Sequence, residues 1–127
     1  MNAKEAGDLL AKCASYDRRT TGEADIIAWL QALGDLSYRD CEAAVVAHYA
    51  DSTDWIMPAH IRHRVKEIRR IRLQDTEIPA PPPELLNNPP AYRAWLREAA
   101  RRIADGEPAD PPQAITGRHL RGIEAGR

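Results

Sequence analysis

The sequence predicts an all-α protein: a compact four-helix N-terminal domain, a Pro-rich spacer and one tethered C-terminal amphipathic helix. Three observations carry that expectation. Apolar residues recur at spacings of three and four, and no alternating strand pattern of useful length occurs. Counting Val, Ile, Leu, Met, Trp and Tyr after Met1, 21 fall within residues 2–75. Proline does the reverse, with nine of its ten residues at or beyond Pro79. These shifts predict a helical domain over 1–75, a Pro-rich linker over 76–89, a tethered helix over 90–105 and a mobile tail over 106–127.

The first helix is expected over 3–16, where Ala6, Leu9, Leu10, Cys13 and Ala14 form one apolar face. The stretch Tyr16–Gly22 breaks it. Thr20 and Glu23 have capping-box spacing and open a second helix over 23–34, with Ile26, Ile27, Leu30 and Leu33 inward and Gly34 as its stop. Ser37, with Asp40 three residues on, opens a third helix to about Ala50, with Cys41, Ala44, Val45, His48 and Tyr49 inward. Pro58 marks a fourth helix start, because a first-turn proline has no orphan donor to lose. That helix runs to about Leu73 with Ile61, Val65 and Ile68 in line. Six prolines over 76–90 read as a semi-rigid polyproline spacer unable to pack as a helix. Asn88 caps the fifth helix, and Gly106 and Pro108 end it.

A 75-residue domain buries only about 60 % of its unfolded-chain surface, which excludes a large enzyme fold with a deep cleft. No run of 18 apolar residues occurs, so no membrane span is expected. The start lacks an apolar signal-peptide core, and two cysteines are too few for a disulfide framework. Cys13 and Cys41 therefore read as buried thiols in a reducing cytoplasm. There is no Gly-rich phosphate loop, Cys-x-x-Cys or nucleophile elbow, so a non-enzymatic role without cofactor is expected.

Net charge is −1, but it is unevenly spread: residues 22–57 carry one basic and seven acidic groups, and residues 58–75 carry six basic and two acidic. Arg62, Lys66 and Arg69 fall at i, i+4 and i+7 with Arg70 beside them, a basic stripe able to meet phosphates or an acidic protein groove. It also suits a solvated face complementing the acidic second and third helices. His60, His63 and Glu67 have helical spacing and metal-ligand chemistry, but Arg64 crowds them and they read as solvated polar positions rather than a dedicated site. His48 reads as a satisfied core histidine. In the fifth helix, Tyr92, Trp95, Leu96, Ala99 and Ile103 share one side, flanked by Arg93 and Arg97. Such a helix is too short to be stable alone and carries hot-spot residue types, so it reads as a partner-binding element or as one folded back on its own domain.

The strings Trp29-Leu30-Gln31-Ala32-Leu33, Leu36-Ser37-Tyr38, Cys41-Glu42-Ala43-Ala44, His48-Tyr49 and Trp55-Ile56-Met57-Pro58-Ala59-His60-Ile61 resemble phage replicative-helicase loader/inhibitor proteins. The chain departs from them where the family has Pro-Thr-Pro and this sequence has Ile56-Met57-Pro58. The resemblance implies a small helical phage protein that binds a hexameric replicative helicase through a flexible C-terminal part. It restrains the helicase until an origin-binding protein releases it. On that reading Tyr92, Trp95 and Leu96 are helicase contacts, and the basic fourth helix meets DNA, the origin-binding protein or the helicase. DNA contact is expected to be weak or indirect. Two alternatives stand beside it: a DNA-binding helix-turn-helix regulator, and an inhibitor or adaptor of another host protein.

Overall fold

A computed structural model describes residues 1–107. Among these there are five α-helices and one 3-10 helix, with no strand: α1 Ala3–Asp17, α2 Glu23–Leu33, α3 Tyr38–Asp51, α4 Pro58–Asp75, the 3-10 helix Pro83–Asn87 and α5 Pro89–Ala104. The all-α expectation holds. The chain divides into two compact units, Met1–Ile68 and Arg69–Arg127, so the division falls inside α4 and not at the expected boundary after residue 75.

In the first unit each helix is opened by a local cap. Asn2 Oδ1 accepts from the Glu5 N–H at 2.8 Å and Glu5 Oε1 accepts from the Asn2 N–H at 3.0 Å, a reciprocal capping box. α1 closes on Arg18, whose φ of 62° is left-handed and whose N–H donates to the Ala14 carbonyl at 2.8 Å. α2 is not opened by Thr20. Gly22 is its N-cap, and the Asp25 carboxylate reaches back to the Gly22 N–H at 2.8 Å; with no side chain on Gly22 this is only the reach-back half of a capping box, two residues later than the Thr20/Glu23 spacing suggests. Past Gly34, the N-terminal ammonium of Met1 donates to the carbonyls of Gly34 (2.6 Å) and Leu36 (3.0 Å), a cation satisfying carbonyls just beyond the end of α2. Ser37 Oγ accepts from the Asp40 N–H at 3.1 Å, and Pro58 takes the first position of α4, both as expected.

One apolar cluster joins the four helices. α1 contributes Leu9, Leu10 and Cys13, α2 Trp29 and Leu33, α3 Cys41, Ala44 and Val45, and α4 Ile61 and Val65, with Ile56 from the α3–α4 loop. Each fully buried Leu or Ile side chain contributes about 1.5–3 kcal/mol relative to exposure. The inward face of α2 differs from expectation: Ile27 is 53 % exposed and Leu30 is half-buried, while Trp29 is buried. The helix turns its Trp29–Leu33 edge inward because Trp29 brings the largest area and receives the Arg19 guanidinium 5.3 Å from its ring centroid.

The second unit holds the last turns of α4 from Arg69, the 3-10 helix and α5. Three expectations are corrected in it. The proline segment does form a helical turn: Pro82 has extended φ −59° and ψ 141°, and the Leu85 N–H donates to the Pro82 carbonyl at 3.0 Å. Pro83 occupies the first position, where its missing N–H costs nothing. α5 is not held away from its own chain: the Arg69 guanidinium bonds the Asp105 carboxylate, Arg72 Nη1 donates to the Ala104 carbonyl at 2.9 Å, and Ala99, Ile103 and Ala104 are buried. The tail does not begin at residue 106. Gly106, at φ 80°, donates to the Ile103 carbonyl at 3.0 Å, and the Glu107 N–H donates to the Arg102 carbonyl at 2.8 Å, which closes α5 as a Schellman motif. The remainder of the expected tail, residues 108–127, lies outside the described residues. Asn88 does cap α5, its Oδ1 accepting from the Ala91 N–H at 3.3 Å.

Candidate functional site

Large apolar side chains are exposed in both units: Tyr16, Ile27, Val46, Trp55 and Met57 in the first, and Ile71, Leu73, Ile78 and Leu86 in the second. Ile71, Leu73, Ile78 and Leu86 are exposed by 44, 42, 43 and 62 %. Of the fifth-helix residues expected to face a partner, Tyr92, Trp95 and Leu96 are half-buried and Arg93 and Arg97 are exposed. Ala99 and Ile103, at 5 and 3 % exposure, are core and are not contact residues in this state. The sequence reading missed the segment 71–86 because it fell between a helix end and a spacer, neither expected to present a surface. Its signal is the run of aliphatics that continues past the expected core line, Ile71 three residues after Ile68 and Ile78 seven after Ile71, with Leu73 between them.

The basic stripe is broken up by ion pairs. Arg62 forks onto Asp35, with Nη1 to Oδ1 at 2.7 Å and Nη2 to Oδ2 at 3.0 Å, and also donates to the Ala32 carbonyl. Hydrogen bonding from Arg62 lowers the Asp35 carboxyl to about 2. Arg69 is taken by Asp105, and the neighbouring Arg64 by Asp51 at 2.9 Å. Lys66 and Arg70 are exposed. The stripe therefore serves largely as the internal complement of acidic side chains.

The α3–α4 connection, residues 52–57, is clamped by buried polar groups. Arg19 and Asp17 form an ion pair at 2.6 Å with both side chains 7 % exposed. Arg19 also donates to the Ile56 carbonyl at 2.8 Å, and its guanidinium lies 4.5 Å from the Trp55 ring centroid. The Tyr49 hydroxyl donates to Asp17 at 2.7 Å and accepts from the Ile56 N–H at 2.9 Å. Burial raises the Asp17 carboxyl, but hydrogen bonds from Arg19 and Tyr49 outweigh it and hold the group below the usual carboxylate range. This loop is longer and more rigidly fixed than the turn of a helix-turn-helix, which is about three or four residues.

A pocket of about 570 Å³ opens beside that loop, and His60, His63 and Glu67 all line it together with His48. The three candidate ligands thus line one pocket, without converging on a single point as metal ligands would. Their hydrogen bonding does not suit a metal either. His60 sits three residues past Met57, and its Nδ1 accepts from the Met57 N–H at 2.9 Å, the reach-back half of a helix cap. Its remaining proton is then on Nε2. His48 Nε2 lies 2.7 Å from the Asp54 carbonyl, which can only accept, so that nitrogen is a donor. Among the described residues no group of three or more His, Cys, Asp or Glu is arranged to hold a metal ion. His48 is 4 % exposed and is a core histidine, as expected.

Cys13 and Cys41 are buried and free, and burial pushes both thiols up to about 11, so neither is a thiolate near neutral pH. No helix among the described residues is long and apolar enough to cross a membrane. Comparison of the chain with family models, with curated proteins and with solved structures finds no match.

Proposed function

We propose that this chain is a non-catalytic phage replication protein that captures a hexameric replicative helicase and loads or restrains it. The observation that carries the reading is the apolar surface of the second unit: Ile71, Leu73, Ile78 and Leu86 all exposed within residues 71–86. Scattered apolar residues on a surface need no explanation; four exposed aliphatics within one short segment, in the same unit as half-buried Tyr92, Trp95 and Leu96, support a surface that a partner covers. The partner's identity rests on the resemblance of Trp29–Ile61 to the helicase loader/inhibitor proteins. The matching residues hold structural posts: Trp29, Ala44, Ile56 and Ile61 are buried, and Ser37 and Pro58 open helices. Exposed Arg93 and Arg97 suit an acidic protein surface, either on the helicase or on an origin-binding protein. With Arg62 and Arg69 already paired, contact with DNA is indirect.

Size-exclusion chromatography of the full chain mixed with the hexameric helicase of the phage or its host tests the reading. A stable complex is expected. Separate elution of the two proteins at concentrations well above micromolar contradicts it.

A further inference from the structure

We propose that His60 is a pH-sensitive latch at the start of α4: its neutral ring holds the Met57 N–H, and protonation of the ring releases it. Every residue involved lies in the first unit, so the proposal stands apart from the reading of the second unit's surface.

Met57 is the N-cap of α4. Its carbonyl accepts from the N–H groups of His60 at 2.9 Å and Ile61 at 3.4 Å, and its own N–H donates to His60 Nδ1 at 2.9 Å. Glu and Gln are the usual residues for this reach-back, and their oxygens go on accepting throughout the neutral range. An imidazole accepts only while it is neutral. Once Nδ1 carries a proton both ring nitrogens are donors, and the N–H facing one of them has lost its partner. Imidazole is also the side chain that changes charge between about pH 5 and 8. His48 responds differently, because its Nε2 donates to the Asp54 carbonyl at 2.7 Å, a bond that either charge state of the ring makes. Ile56 is held by the Tyr49 hydroxyl and by Arg19, neither of which titrates in that range. The anchor at Met57 is thus the one in this loop that needs a neutral imidazole.

The surroundings decide at what pH the ring charges, and the lone pair decides the sign. A cation at the third position of a helix meets the positive end of the dipole. Arg64 stands four residues on, paired with Asp51 at 2.9 Å. From α3 the His48 ring lies 5.1 Å away between centroids, and His63 lines the same pocket, so further protonation there adds like charge. Asp54 and Glu67 are the carboxylates of that pocket, and Glu67 is already engaged. They favour the charged ring, which cannot accept from Met57 wherever it turns. The bond is therefore present with the neutral ring and lost as pH falls. Release stays local, since Pro58 fixes φ at the first helical position and the Met57 carbonyl keeps its two donors. What is freed is the Met57 N–H, and with it the setting of a side chain that is 47 % exposed.

The test is an NMR titration of the isotope-labelled full chain from about pH 8 to about pH 5. It follows the His60 ring signals and, at each pH, amide exchange at Ile56 and Met57 relative to an unstructured chain. Asp17 and Asp35 are held below the usual carboxylate range, so their titration stays out of this window. Protection at Met57 is expected to fall about fivefold as the His60 ring charges, the usual effect of losing a cap, with Ile56 unchanged. His60→Gln keeps a neutral acceptor at the same position and is expected to hold Met57 protection level across the range. A His60 ring that stays neutral throughout, Met57 protection that stays level while the ring charges, an equal fall at Ile56, or a pH dependence that survives in His60→Gln each overturns the assignment. Should His60→Gln fail to fold, the comparison of Met57 with Ile56 in the unaltered chain decides.

Discussion

Arg19 and Asp17 are each 7 % exposed at the side chain, and between them they reach α3 and the α3–α4 loop. Removing one charge of a buried pair leaves the other uncompensated, at a cost of about 3–5 kcal/mol. Arg19→Met should lose that much in urea denaturation, and Tyr49→Phe, which orphans the Ile56 N–H, about 1–3 kcal/mol. Asp17 and Asp35 both titrate below the range of about 3.9 for an unstructured Asp. Their contribution is therefore complete above about pH 4 and is lost as pH falls through the folded values, about 2 for Asp35. Stability measured from pH 5 downward should decline, and more shallowly for Asp35→Asn; a decline of unchanged slope would contradict the pairing with Arg62. Arg18 is a non-glycine residue in the left-handed region at φ 62°, so Arg18→Gly should stabilise by about 0.5 kcal/mol once the added chain entropy is offset. None of the buried hub was legible in the sequence. Its partners lie 32 and 37 residues apart, and Tyr16–Gly22 reads locally only as a break.

At the scale of helices, most boundaries were legible because caps are local: Ser37, Pro58, Asn88 and Gly106 act within a turn of their own position. The inward face of α2 was not. Ile27, Leu30 and Trp29 compete for the core, and periodicity alone does not rank an aromatic above two aliphatics. The structure predicts the ranking of substitutions there. Leu33→Ala should cost about 2–5 kcal/mol, Leu30→Ala clearly less, and Ile27→Ala close to nothing; thermal melts that place Leu30 or Ile27 above Leu33 reject the assigned orientation. In α5, Gly106→Ala forces a side chain into φ 80° and should loosen the Schellman closure, read as faster amide exchange at Glu107 and at the end of α5. The 3-10 turn at Pro83–Asn87 escaped the sequence reading for a related reason: a proline run fixes φ but leaves ψ, and so the choice between spacer and turn, to its neighbours.

For the whole molecule, composition revealed two regions but misjudged their border. Apolar density and proline content change after residue 75, whereas compactness changes within α4, because Arg69 and Arg72 bind the end of α5. The partner-facing role proposed above accordingly falls away from buried Ala99 and Ile103 and toward the exposed aliphatics of 71–86. Leu86, at 62 % exposure, is the position where a charge disturbs the surface and least disturbs the fold. The most direct measurement is calorimetric titration of the hexameric replicative helicase with the full chain and with the Leu86→Glu, Ile71→Glu double variant, each accompanied by a thermal melt. Loss of an anchor at an interface centre commonly costs about 2 kcal/mol or more, some thirtyfold in affinity. The prediction is tight binding by the unaltered chain and at least a thirtyfold loss in the variant with an unchanged melt. Equal affinity in the two proteins, or no binding by either, contradicts it.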